Sequence, residues 1–133
     1  MIVALDHIAI AVPDLAKSIK RFMEDFQLDF SGQEDVSDAK TSTAFFPVPE
    51  TSIELVHPLN NEGPIKGYLE KKGGGLHHLC FRSDDINADV ERLKAKGYQF
   101  LSAAPYAGAH NSQVIFIHPK SCDGVLIEIN QPA

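Results

Sequence analysis

Four side chains in this sequence can hold a metal ion or move a proton, and they recur at matched places: His7, Glu54, His78 and Glu128. His7 stands third in Leu5-Asp6-His7-Ile8-Ala9-Ile10-Ala11, and His78 third in Leu76-His77-His78-Leu79-Cys80-Phe81-Arg82. After each histidine, every second residue is small or polar, and the residues between are bulky and apolar. Side chains of a strand alternate between faces, so each histidine is expected on one face and Ile8, Ile10, Leu79 and Phe81 on the other, toward a core. Glu54 and Glu128 sit mid-strand in Ile53-Glu54-Leu55 and Ile127-Glu128-Ile129. Two imidazoles and two carboxylates suit a borderline divalent metal with a six-coordinate shell. Four protein ligands would leave two adjacent positions for water or substrate oxygens, which is the mark of a catalytic site.

Any one of these residues alone has a plainer reading, a structural histidine or a solvent-facing glutamate. Their repetition is the stronger signal. One fixed offset carries His7 onto His78, Leu15 onto Ile86, Ile19 onto Val90 and Phe22 onto Leu93. The chain therefore reads as an internal duplication of about 70 residues, too long and too few-fold for a solenoid. Residues 1–62 and 74–133 are the two repeats of a single domain spanning 1–133.

The elements that position the four residues follow from periodicity. Leu5 to Val12 predicts a strand, and Asp14 the N-cap of a helix whose buried face carries Leu15, Ile19, Phe22, Met23 and Phe26. Gly32 to Lys40 is polar and reads as a loop. Thr41 to Phe46 predicts a strand closed by a turn at Pro47-Val48-Pro49, and Ser52 to Val56 another strand stopped by His57-Pro58. Pro64 opens a short helix over Ile65 to Lys71. Gly73-Gly74-Gly75 is the joint between halves. Leu76 to Arg82 predicts a strand, Asp84-Asp85 the cap of a helix with Ile86, Val90 and Leu93 on one face, and Gly97 its end. Gln99 to Ala103 is a candidate strand and Ala104 to Asn111 a loop. Val114 to Ile117 and Val125 to Ile129 are the last strands. The expected fold is α+β: two βαβββ modules forming a curved, cup-like mixed sheet of about eight strands, with helices outside.

Composition narrows the function. The chain has 133 residues, 44% of them hydrophobic, as in an ordinary globular domain, and a formal charge of −6, which argues against nucleic acid as a partner. No stretch is long and apolar enough to suggest a membrane span, and Met1 to Val12 lacks the basic start of a signal peptide. Cys80 and Cys122 make no disulfide framework, so a cytoplasmic location is expected. Weaker candidates are His57 and His118, which precede prolines and read as turn residues, and His110, in a loop placed to close over a substrate. Lys66, Lys71, Lys72 and Lys120 could form a basic rim, though solvated surface lysines are the commoner case. Gly73-Gly74-Gly75 lacks the context of a phosphate loop, His77 points away from His78 on a regular strand, and Cys80 reads as a small filler.

These segments resemble the vicinal oxygen chelate (glyoxalase/bleomycin resistance/dioxygenase) superfamily over almost the whole chain, and within it the methylmalonyl-CoA epimerase family most closely. The resemblance is carried by Leu5-Asp6-His7-Ile8-Ala9-Ile10-Ala11-Val12, by Ile53-Glu54-Leu55-Val56-His57-Pro58-Leu59, by Gly75-Leu76-His77-His78-Leu79-Cys80, and above all by His118-Pro119-Lys120-Ser121 followed by Gly124-Val125-Leu126-Ile127-Glu128. It implies His7, Glu54, His78 and Glu128 as metal ligands, cobalt as the expected ion with zinc, nickel or manganese as others, Glu128 and Glu54 as catalytic bases, an acyl-CoA substrate, and a homodimer. Some members place a further carboxylate on the second strand of the first module. The matching stretch here, Thr41-Ser42-Thr43-Ala44, has none, and Thr43 stands in its place. The alternatives are a lactoylglutathione lyase (glyoxalase I) using the same ligands, and a metal-free, ligand-sequestering protein of the resistance type, which needs no such quartet.

Overall fold

A computed structural model describes residues 1–133. Eight strands are ordered β2-β3-β4-β1-β5-β8-β7-β6 by hydrogen bonding. Parallel and antiparallel pairs are mixed, as the α+β reading requires. The chain divides into two compact units, one of residues His7–His77 and one of Met1–Asp6 with His78–Ala133.

The His7–His77 unit holds half of β1 (Ile2–Ala11), with α1 (Leu15–Lys20), β2 (Gly32–Val36), β3 (Thr41–Val48), β4 (Thr51–Pro58) and α2 (Pro64–Lys72). Asp14 caps α1 by accepting from the Lys17 backbone N–H at 3.0 Å, a contact worth about 1 kcal/mol. The helix continues through a π-helical turn, Arg21–Asp25. Leu15, Ile19 and Phe22 pack against Val12, Ala44, Phe46 and Leu55. Met23 and Phe26, expected on that face, are 44% and 57% exposed. The π turn is wider than an α turn, so a strict 3.6-residue extrapolation fails beyond it.

The segment Gly32 to Lys40, expected as a loop, opens with β2, antiparallel to β3 from Gly32 opposite Phe45 to Val36 opposite Thr41. β2 lies at an edge, where polar and charged residues such as Glu34 and Asp35 block further pairing. Its composition hid it for that reason. The turn expected at Pro47-Val48-Pro49 comes slightly later, because β3 runs to Val48 before the chain reverses at Pro49-Glu50.

β1 and β4 are parallel, with Ala9 opposite Glu54 and Ala11 opposite Val56. His7, Ala9, Ala11, Glu54 and Val56 therefore share a face. The bulky residues of β1 were expected to supply the core, yet Ala9 and Ala11 are 0% and 1% exposed. They pack with Val56 against Ile65, Tyr68 and Leu69 of α2. Small side chains on that face let a helix approach closely, while Ile10 joins the cluster beneath α1. Gly74 is required in the following turn, since at φ +138° a Cβ would meet the Ala11 carbonyl at 3.2 Å.

The second unit holds most of β5 (Gly75–Ser83), α3 (Ile86–Ala95), β6 (Tyr106–Ala107), β7 (Gln113–Ile117) and β8 (Ile127–Gln131). Asp85 caps α3 by accepting from the Ala88 N–H, and Gly97 follows the helix at φ +94°. Ile86 and Val90 pack with Ile115, Ile117 and Ile129, with Leu93, Tyr98 and Phe100 around them. The strand expected over Gln99 to Ala103 reduces to one bridge, Phe100 to Ile117. The short edge strand falls instead at Tyr106–Ala107, inside the expected loop. The last strand starts at Ile127, two residues later than its apolar run begins.

Candidate functional site

In the His7–His77 unit, His7 Nδ1 lies 3.0 Å from Glu54 Oε2, and the two side chains are 5% and 14% exposed. Parallel pairing of β1 with β4 sets this contact, because it places Glu54 one pleat along from His7 on the shared face. On β3, Phe45 stands opposite Glu54 and Thr43 opposite Val56. Thr43 is 5% exposed and faces Glu34 across the β2–β3 ladder.

In the second unit, His78 Nε2 lies 2.9 Å from Glu128 Oε1, with side chains 7% and 9% exposed. β5 and β8 are parallel, with Cys80 opposite Glu128 and Arg82 opposite Asn130. On β7, Phe116 stands opposite Glu128 and Val114 opposite Asn130. The face thus carries His78, Cys80, Glu128, Phe116 and Asn130. The Phe116 ring meets the His78 imidazole edge-on, with centroids 5.1 Å apart. Arg82 is held to the Asp6 carboxylate at 2.9 Å. Tyr106, opposite Val114, is a half-buried phenol whose pKa burial raises above its ordinary value, with the Glu128 charge adding to the shift.

Each unit thus buries one imidazole against one carboxylate, on a parallel strand pair at corresponding positions. Burying a carboxylate is costly without a partner, and a neutral imidazole supplies at most one proton to it. The donor set suits a divalent cation. Nitrogen–oxygen separations of 3.0 and 2.9 Å also match neighbouring ligands of an octahedral ion with bonds of about 2.1 Å, which stand about 3.0 Å apart. The residues of each pair therefore fit a metal.

The weaker candidates have local surroundings of their own. His57 Nδ1 lies 2.8 Å from the Val12 carbonyl. His118 accepts from the Lys120 N–H at 3.0 Å and shapes the Pro119–Ser121 turn. The His77 ring stacks edge-on against Tyr68. Lys66 reaches Glu70 on its own helix at 3.8 Å. His110 occupies a left-handed position, φ +54°, in the turn Ala109–Asn111. Cys80 is fully buried, as a filler would be. Sequence reasoning missed Tyr106 and Asn130. Asn130 carried a signal, since it follows Glu128 by two residues on one strand and so shares its face; Tyr106 carried none, lying in a stretch that reads as a loop.

Residues 6–116 match the model of the Glyoxalase/Bleomycin resistance protein/Dioxygenase superfamily. The chain is 41% identical to the ethylmalonyl-CoA/methylmalonyl-CoA epimerase of Cereibacter sphaeroides, across 98% of this chain and 99% of the relative. It is 43% identical to the mitochondrial methylmalonyl-CoA epimerase of Homo sapiens, across 96% of this chain and 73% of that protein. A solved structure of the Streptomyces coelicolor methylmalonyl-CoA epimerase in complex with 2-nitronate-propionyl-CoA superimposes with a TM-score of 0.96 at 27% identity, covering 100% of this chain and 99% of that one.

Proposed function

Because the chain belongs to the Glyoxalase/Bleomycin resistance protein/Dioxygenase superfamily, and its relatives over nearly its full length are methylmalonyl-CoA epimerases, we propose that it is an epimerase of methylmalonyl-CoA. The observation that carries this reading is the pair of buried imidazole–carboxylate contacts, His7–Glu54 and His78–Glu128, one in each unit. We read the chain as one domain of two repeats, with His7, Glu54, His78 and Glu128 serving a single divalent cation. Cobalt is the ion expected from the family resemblance, and the nitrogen and oxygen donors also admit zinc, nickel or manganese.

Epimerisation removes the proton from a carbon between a thioester and a carboxylate, then returns a proton to the opposite face. No other bond changes. A cation held by the four residues supplies Lewis-acid stabilisation of the negative charge that develops on the substrate oxygens. Glu128, ionised, would take the α-proton, and Glu54, protonated at the start of that turnover, would deliver its own proton to the opposite face. The two carboxyls would thus exchange protonation states and stand ready for the reverse reaction. A carboxylate engaged with a cation would be a weak base, so Glu128 would act as base only once released from it. Its partner His78, steadied edge-on by Phe116, keeps the side chain aimed while it does so. General base catalysis of this kind contributes about 10²–10⁴ in rate.

The substrate is an acyl-CoA, as in the bound Streptomyces coelicolor relative. We further propose a homodimer working in the cytoplasm, where Cys80 and Cys122 would stay out of disulfides; no helix is long and apolar enough to cross a membrane. The decisive experiment is turnover of methylmalonyl-CoA by protein loaded with each divalent metal, beside the hemithioacetal of methylglyoxal and glutathione. Interconversion of the acyl-CoA epimers is expected. Turnover of the hemithioacetal alone would replace this reading with a lactoylglutathione lyase, and neither turnover nor metal uptake would replace it with a binding protein.

A further inference from the structure

Asn130 is 8% exposed, and its side-chain oxygen is buried with no hydrogen-bond partner. It lies on β8 two residues beyond Glu128, opposite Val114 on β7 and Arg82 on β5. By strand alternation it shares the face of Glu128. A buried acceptor left without a donor costs about 1–3 kcal/mol, and native proteins rarely carry such a group unless something outside the chain supplies the missing partner. The neighbours on this face do not relieve it. Val114 is apolar, the Arg82 guanidinium is engaged by Asp6, and Glu128 only accepts when ionised.

We infer that Asn130 is a substrate-positioning residue whose carbonyl accepts the hydrogen bond of the first amide N–H in the pantetheine arm of the acyl-CoA. The inference rests on the acyl-CoA reading above. Two residues apart on one strand face are separated by about 6.6–6.8 Å, close to the extended span from the substrate α-carbon through the thioester and the cysteamine arm to its amide nitrogen. With the α-carbon at Glu128, that nitrogen falls beside Asn130. The arm's amide is the one strong donor so close to a thioester. A protein that reads it distinguishes CoA-like thioesters from simple alkyl ones without touching the reacting carbon. The contact is made by the ground state and transition state alike, so it lowers KM more than it raises kcat.

The test compares wild type and Asn130→Leu, both metal-loaded, on two substrates: the methylmalonyl thioester of N-acetylcysteamine, which keeps the amide, and the S-butyl thioester, which lacks it. Asn130→Leu is expected to lose about tenfold in kcat/KM, mostly through KM, on the first and little on the second. Its melting temperature in the absence of substrate should equal or exceed that of wild type, because an unmet polar group has been removed. Equal loss on both thioesters, loss on neither, or a fall in melting temperature that marks a structural water at Asn130 would overturn the assignment. Should Asn130→Leu not fold, Asn130→Ala carries the same comparison. Failure of wild type to turn over methylmalonyl-CoA would refute the epimerase reading itself, whereas an active wild type with an indifferent variant would refute only the role of Asn130.

Discussion

His78 presents Nε2 to Glu128 at 2.9 Å, and neither side chain is more than a tenth exposed. A carboxylate so placed is engaged by its imidazole, whose ring meets Phe116 edge-on, so its loss should be felt in chemistry before folding. Glu128→Gln preserves shape and removes the base. The variant should lose about 10²–10⁴ in the rate at which the substrate α-hydrogen exchanges with solvent deuterium, followed by proton NMR, while much of the metal stays bound. Exchange at the wild-type rate would remove Glu128 from the proton-transfer role.

The two imidazole–carboxylate pairs are expected to serve one ion. Elemental analysis of the reconstituted protein should return one divalent cation per chain. Binding at a hundredfold excess over Kd stabilises the folded state by about 2.7 kcal/mol, seen as a rise in melting temperature that chelation reverses. Glu54→Ala and Glu128→Ala, which alter different units, should each abolish most of that rise. Two ions per chain, or a rise that survives loss of either pair, would separate the pairs into independent sites.

Asp89 gives the fold a pH dependence remote from the chemistry. It is 2% exposed. Burial alone would raise its pKa, but hydrogen bonds from Ser83, Arg92 and the terminal ammonium outweigh burial and hold it below the ordinary 3.8. A carboxyl whose folded pKa is depressed contributes stability that is fully present above the unfolded value and is lost as pH falls through the folded one. In urea denaturation at pH 7, Asp89→Asn should be about 1–3 kcal/mol less stable than wild type, the cost of leaving buried partners unmet. The gap should narrow once the pH drops below 3.8. A gap that stays constant into acid would show that the charge of Asp89 contributes nothing.

Much of the fold was legible because it is written in local periodicity and capping. Asp14 and Asp85 announced their helices, Pro64 opened α2, and the central strands alternate as their residues require. The segments that escaped are edge strands. Gly32–Val36 and Tyr106–Ala107 are strands because β3 and β7 present unpaired backbone groups to them, and nothing in their own composition demands it. The side of β1 that bears its small residues was misread in the same way. Ala9 and Ala11 lie on the face of His7, away from the side expected to form the core, yet α2 packs upon them.

By itself the sequence determined which residues could do chemistry and that they come in matched sets, because a duplicated motif repeats its side chains at a fixed spacing whatever surrounds them. Only the tertiary structure decided which donors meet, that Glu54 takes Nδ1 of its histidine while Glu128 takes Nε2 of the other. It alone decided that Asn130 is buried without a donor. Parallel strand register and the packing of remote side chains set such contacts, and both depend on residues far apart in the chain.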